Sequence, residues 1–321
     1  MRPMWWLGDD PERLRRVFDL DPPSPAAEPP PIPVVAAWQA LELGEIPAFL
    51  ARTGSADDPR VLIHLGHAGR SPYESIRRAL AAGARLPSQL VVVSGSGEGL
   101  RGHRDRSWAA ISGNLHMSVL LRRPLPISQV GAGLSMLPSV VVADWLSGRL
   151  PVRPEIKWVN DLVVDGRKIG GVLASSAIRG SRFEDCLFGI GLNLAVAPEI
   201  EPDVFVPGTT CVAEWIEPPA VGIVARELLD GLDRAFERLE HDGCEPIHER
   251  YRQHCHGIGR PVRVWADEPG DPLRRPPLAA GTLEDVLPDL HLRVSGTAEA
   301  IGRGRLAFET DIRQHMTRRR S

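Results

Sequence analysis

The chain has 321 residues, 43% hydrophobic and 25% charged, a globular composition with room for one sizeable domain and a small one. Lys+Arg 38 against Asp+Glu 41 leaves a net charge of −3, so bulk basicity gives no reason to expect a nucleic-acid partner. Its four cysteines form no Cys-x-x-Cys pair, which argues against a zinc site or a disulfide framework. No apolar run approaches the ~20 residues of a membrane span, and Trp5 and Trp6 are not followed by a leader-type apolar core, so a cytoplasmic protein without a membrane partner is expected. Lysine is nearly absent, and arginine carries the positive charge.

In chain order, residues 10–20 suit a short helix, and 22–33 read as an extended polyproline linker. Such a linker buries little, so the first 40 residues are expected to be dispensable for folding. A strand over 61–65, a helix over 72–82 and a strand over 89–93 follow, then a glycine-rich loop. Residues 114–121 read as a strand and 127–145 as a buried helix despite Gly131, Gly133 and Pro138. Residues 156–164 and 168–175 read as the arms of a hairpin, and 185–194 as another strand. Ile223, Leu228, Leu232, Ala235 and Leu239 share a helical spacing over 221–239. A helical stretch over 247–254 leads to short strands, and 311–321 reads as a basic tail.

The segment from Lys157 to Lys168 carries most of the chemistry. Asp165-Gly166 between β-prone runs is a hairpin signal. The hairpin would put Asn160 and Asp161 at one end of a strand and return Lys168 beside them. A carboxylate able to hold a divalent ion, next to a lysine able to neutralise phosphoryl charge, suits nucleotide-dependent acyl activation; an ordinary surface hairpin is the plainer reading. Between Ser94 and Trp108, Gly95, Gly97 and Gly99 allow a close approach to the backbone, and Arg101, His103, Arg104 and Arg106 add donors, together an anion cradle. The glycine spacing is not that of a dinucleotide fold, and a solvated loop is the alternative. Ser71, Pro72 and Glu74 read as an N-cap, N1 and N3 set, with Ser71 also free to accept from a ligand.

Lys157-Trp158-Val159-Asn160-Asp161-Leu162, then Gly166-Arg167-Lys168-Ile169-Gly170-Gly171-Val172-Leu173, resembles the signature of biotin–protein ligases, Val159 standing where the family has proline. Residues 108–121 are similar to the family's Trp-x-Ser-Pro-x-Gly-Asn-Leu-Tyr-x-Ser segment, and Gly189-Ile190-Gly191-Leu192-Asn193-Leu194 to its Gly-Ile-Gly-(aliphatic)-Asn strand. Residues 259–264, 281–283 and 304–308 fit the strands of its last domain. The resemblance covers roughly 60–310 and implies an α+β fold. A mixed sheet backed by helices would occupy 56–256, with a small SH3-like barrel over 257–310. Residues 1–55 would be an N-terminal extension with the proline-rich linker, too short for the winged helix that gives some relatives a DNA-binding role.

The same resemblance implies an ATP- and Mg²⁺-dependent ligase that forms biotinyl-5'-adenylate and passes biotin to a lysine of a biotin carboxyl carrier domain, with a homodimer left open. Lys168 and Arg104 would be catalytic. Ser71, Gly97, Arg101, Gly102, His103, Lys168, Gly170 and Gly171 would contact biotin. Arg104, Arg106, Trp108, Asn160, Asp161 and Asn193 would contact ATP, with Asp161 also holding Mg²⁺. Leu100 and Asp105 replace glycines of the family's loop, His103 replaces an arginine and Gly97 a glutamine, so the loop is expected to hold the acyl-adenylate poorly. Of the serine-threonine-asparagine motif only Ser71 matches, and Ser175 stands where glutamate is common. The alternatives are a lipoate or octanoate ligase or transferase on the same fold, and a non-catalytic homologue that binds an acyl ligand or a carrier protein.

Overall fold

The structure is a computed structural model that describes residues 4–18, 32–42, 50–53, 60–102 and 106–319. The chain begins with β1 (Met4–Gly8), α1 (Pro11–Phe18), α2 (Ile32–Ala40), β2 (Leu50–Thr53), β3 (Arg60–Leu65) and α3 (Pro72–Ala81). Then come β4 (Gln89–Ser94), β5 (Leu115–Leu121), β6 (Leu125–Pro126), α4 (Ile127–Val130) and α5 (Gly133–Ser147). Next are β7 (Pro154–Lys157), β8 (Asp161–Val164), β9 (Arg167–Arg179), β10 (Arg182–Leu192) and α6 (Val221–Asp242). The last are α7 (Glu245–His254), β11 (Pro261–Trp265), β12 (Ala279–Val286), β13 (Leu292–Val294), β14 (Arg305–Phe308) and α8 (Glu309–Arg318). The expected α+β class is what forms. Among the described residues no helix is long and apolar enough to cross a membrane.

Contacts divide the chain into two interleaved units. The first comprises Met1–Ser128, Gly171–Val196 and Cys211–Gly231. Its strands follow the order β2-β1-β3-β4-β5-β10, with β9 beyond β10. β1, β3 and β4 run parallel, and β4, β5 and β10 antiparallel. β4 and β5 are buried at every position, as strands covered on both faces are, so Leu90–Val93 and Val119–Leu121 read as apolar runs, while the polar Gln89, Ser94, His116 and Ser118 are buried with them.

The expectation that the first 40 residues bury little is corrected. β1 pairs with β3 in register Trp5↔Val61 to Gly8↔His64. Trp5, Leu7, Val34, Ala37, Trp38 and Leu41 join the core formed with Val61, Ile63, Ile76 and Leu90. Trp6 and Phe18 meet edge to face at 5.3 Å. Gly222 of α6 lies so close to α1 that a Cβ there would fall 1.9 Å from the Val17 carbonyl oxygen. The proline-rich reading hid α2, which starts at Ile32 with Pro33 in its first turn, where a missing N–H costs nothing. The rest of that run, 22–31, lies outside the described residues.

The second unit comprises Gln129–Gly170, Ala197–Thr210 and Leu232–Ser321. The helix expected over 127–145 is two, since Gly131 takes φ 49 between α4 and α5. The strand expected over 156–164 is also two. β7 and β8 are antiparallel, Lys157 opposite Asp161, and Trp158–Asn160 form the turn between them. The apolar pair Trp158-Val159 disguised that turn, whose first peptide bond is cis. Ile223 is exposed, and the buried stripe of α6 runs instead through Val224, Leu228, Leu232, Phe236 and Leu239, with Ala235 half-buried. The C-terminal strands make a four-stranded antiparallel sheet in the order β13-β12-β11-β14, and no β13–β14 pairing closes it into a barrel among the described residues. The stretch read as a basic tail is largely helical: α8 buries Ile312 against Val204, Phe205, Trp265 and Ala307.

Candidate functional site

Each unit carries part of the predicted set. In the second, three short strands run β7, β8 and the start of β9, with Asp165 and Gly166 at φ 51 and 71 in the turn between β8 and β9. Two residues with positive φ are what a tight hairpin of right-handed twist requires. The turn returns Lys168 beside the first residue of β8, and its Nζ lies 2.6 Å from Asp161 Oδ1. Both side chains are about one-fifth exposed, so a ligand can reach the pair. The backbone of Lys168 is also fixed, donating to Gly208 O at 2.9 Å and accepting from Thr210 N at 3.0 Å. Asn160 sits half-buried in the preceding turn. Sequence reasoning passed over Lys157 except as a motif letter. Its ammonium is buried, donates to Phe205 O at 2.5 Å and lies 5.3 Å from the centre of the Phe308 ring. Burial holds its pKa below the ordinary lysine value. No group of three His, Cys, Asp or Glu side chains fit to hold a metal occurs among the described residues.

In the first unit, Ser71 is the N-cap of α3: its Oγ accepts from Glu74 N at 3.4 Å, with Pro72 opening the helix. Glu74 does not close a capping box but pairs with Arg77 at 2.7 Å. The glycines of the β4–β5 loop have a reason apart from any ligand. A Cβ on Gly95 would lie 2.8 Å from Gly66 O, and one on Gly97 2.8 Å from Ala68 O, so the backbones of two loops pack against each other. Gly97 also bridges Ala110, and Arg101 bridges Ser107. Gly102 N donates to Arg106 O at 2.6 Å, which closes the loop's base. His103, Arg104 and Asp105 lie outside the described residues.

Trp108 is half-buried and covers Gly191, where a Cβ would fall 2.3 Å from the indole. Its Nε1 donates to His116 Nδ1 at 3.2 Å, and His116 Nε2 lies 3.1 Å from Ile111 O. That pair of contacts calls for the neutral tautomer protonated at Nε2, and burial lowers the His116 pKa in the same sense. Asn114 is fully buried. Its Oδ1 accepts from the N–H groups of Leu194, Ala195 and Val196 at 3.0–3.1 Å, and its Nδ2 donates to Val196 O at 2.8 Å. It thereby ties the start of β5 to the segment after Asn193. Asn193 is itself buried, and its carbonyl accepts from Val212 N at 3.0 Å. A Gly-Asn step at a strand start is the signal that could have exposed Asn114, since a buried amide needs partners on both its ends.

The model of the biotin/lipoate A/B protein ligase family matches residues 83–193. The biotin--[acetyl-CoA-carboxylase] ligase of Paracoccus denitrificans is 30% identical over 168 residues, which are 50% of this chain and 69% of that protein. The chain belongs to the biotin/lipoate A/B protein ligase family. The bifunctional ligase/repressor BirA of Bacillus subtilis is 26% identical over 186 residues, 57% of each protein, so the match spans little more than half of that relative. A biotin protein ligase from Aquifex aeolicus, solved with biotin and ATP, superposes with TM-score 0.59 at 17% identity over 77% of this chain and 97% of that one. That likeness establishes a shared fold.

Proposed function

We propose that this family member is an ATP-dependent biotin–protein ligase acting in the cytoplasm. In the first half-reaction, the carboxylate of biotin attacks the α-phosphorus of ATP. Pyrophosphate leaves, and biotinyl-5'-adenylate remains. In the second, the ε-amine of a lysine on a biotin carboxyl carrier domain attacks the acyl carbon, AMP leaves, and the amine's proton passes to solvent. The observation that carries the reading is the Lys168–Asp161 pair at 2.6 Å, held by a tight hairpin inside the family's signature segment.

An ammonium has three donor hydrogens; Lys168 donates to Asp161, and biotin's carboxylate and the α-phosphate would draw on the same charge when bound. Lys168 thus carries positive charge to where negative charge meets in the transition state, while its backbone contacts to Gly208 and Thr210 limit its reorganisation. Mg²⁺ is commonly held by one or two carboxylates together with substrate phosphates. Asp161, a carboxylate about one-fifth exposed beside Lys168, fits that pattern. Asp161 would hold the ion, which when bound supplies neutralisation of phosphate charge. Asn160, Asn193, Arg106 and Trp108 would line the nucleotide. Ser71, Gly97, Arg101, Gly102, His103, Gly170 and Gly171 would contact biotin, and Arg104 would contact ATP as a second catalytic cation.

The test is transfer. Purified protein incubated with biotin, MgATP and an apo carrier domain should biotinylate one lysine of the carrier, read by intact mass and streptavidin blotting. Transfer of lipoate or octanoate but not biotin would overturn the substrate assignment, and transfer of none would overturn the ligase reading.

A further inference from the structure

Asp9 lies ahead of the family match, on the short link between β1 and α1. Asp10 beside it serves α1, its Oδ1 accepting from Glu12 N and Arg13 N at 3.0 and 3.1 Å as an N-cap does. Asp9 faces the other way: its Oδ2 accepts from Gly66 N at 2.7 Å, and its own N–H donates to His64 O at 3.3 Å. The Arg13 side chain covers the same glycine so closely that a Cβ on Gly66 would fall 1.6 Å from its Nη1. At the far end of this β3–α3 loop, Arg70 pairs with Glu42, just after α2. The N-terminal elements therefore grip residues 66–70 at both ends.

That loop in turn carries the glycine-rich loop. Gly95 N donates to Leu65 O at 2.8 Å, Ala68 N to Ser96 O at 2.9 Å and Glu98 N to Ala68 O at 2.9 Å. Ser96 Oγ lies 3.3 Å from Gly66 O and 3.0 Å from His67 Nδ1. Since Cβ atoms on Gly95 and Gly97 would strike Gly66 O and Ala68 O, a displacement of one loop must be followed by the other. We infer that β1, α1 and α2 form a brace for the loop at 95–102, and that Asp9 is the positioning residue through which the brace acts. Asp9 itself is exposed and touches no proposed ligand residue; it acts through Gly66. That the braced loop serves biotin rests on the proposed function, whereas the brace itself does not.

Hydrogen exchange of the ligand-free full-length protein tests the brace without any substrate. In Asp9→Ala, exchange of amides in 95–100 should accelerate about fivefold, the order that one exposed charge-assisted hydrogen bond sets, while amides of β4 and β5 keep their protection. Asp9→Asn, which retains an accepting oxygen, should fall between wild type and alanine. If Asp9→Ala does not fold, Gly66→Ala carries the test, since its Cβ would displace the guanidinium end of Arg13 and crowd Asp9 Oδ2 at 3.3 Å. Unchanged exchange at 95–100, or equal acceleration in β4 and β5, overturns the brace. In the same variants the biotin KM for pyrophosphate exchange should rise with kcat held within about twofold, the pattern of lost binding rather than lost chemistry. An unchanged KM alongside a loosened loop overturns its link to biotin. Wild-type protein without biotin-dependent exchange sinks the ligase reading and leaves the loop result to decide the brace.

Discussion

Lys157 and Lys168 are the two lysines of this chain, and the β7–β8–β9 meander holds both. Lys168 is the partly exposed one, and Lys168→Ala should slow biotin-dependent pyrophosphate exchange by ~10²-fold or more, the scale on which a positioned cation stabilises developing charge; an unchanged rate would remove it from the chemistry. Lys157 is buried, and the outcome for it is a matter of pH. Burial holds its pKa below the ordinary 10.5, so the unfolded chain binds that proton more tightly than the folded one. Stability from this group therefore rises with pH between its folded pKa and 10.5. Urea titrations across that alkaline range should show wild type gaining on Lys157→Met, and parallel curves would contradict the assignment. Lys168, Asp161 and their turn could be read ahead of the fold because Asp165-Gly166 dictates a local hairpin. Lys157 could not, because its role depends on Phe205 and Phe308, far along the chain, and a pattern within twelve residues carries no trace of them.

At the scale of elements, β1, α1 and α2 lie among the apolar parts of the first unit. Trp5, Trp6, Leu7, Leu14, Phe18, Val34, Trp38 and Leu41 are all buried. At roughly 1.5–3 kcal/mol for each large side chain, their summed loss is comparable to or larger than the whole stability of a typical domain, about 5–15 kcal/mol. Deleting residues 1–42 should therefore leave little soluble protein, and a truncated chain that melts cooperatively at the wild-type temperature would contradict this packing. In the second unit, Asp144 of α5 accepts from Arg250 at 2.7 Å and His254 at 2.8 Å, both on α7. Burial raises the Asp144 pKa, but the His254 and Arg250 contacts outweigh it, and the net shift is downward from 3.8. The clamp's contribution is then fully present above 3.8 and fades as pH falls through the lower folded value. Asp144→Asn should lower Tm near neutrality by the modest amount that a half-exposed pair allows, ~1 kcal/mol or less, with the gap closing in acid; a gap that persists at low pH would place its cause elsewhere. Elements with a steady period, such as β3, β4, α3 and α7, fell close to their expected bounds. Those missed were masked by local composition: prolines over α2, and Trp158-Val159 across the β7–β8 turn.

Over the whole molecule, the two units are not consecutive stretches of chain. The first regains residues 171–196 and 211–231 after the second has begun, which a left-to-right reading of linkers has no means to detect. β9 begins in one unit at Arg167 and ends in the other at Arg179, so Lys168 and Gly171 of the signature segment share one strand while belonging to different units. Family membership follows from sequence matches over 83–193 and to the Paracoccus relative. The central proposal adds a chemical claim, that Lys168, paired with Asp161, serves biotin adenylation. ATP–pyrophosphate exchange tests it most directly, because it reads the first half-reaction without a carrier protein. With Mg²⁺ and ATP, the account predicts exchange that requires biotin, is not supported by lipoate or octanoate, and falls ~10²-fold or more in Lys168→Ala. Exchange absent with biotin, or equal with all three acids, would contradict it.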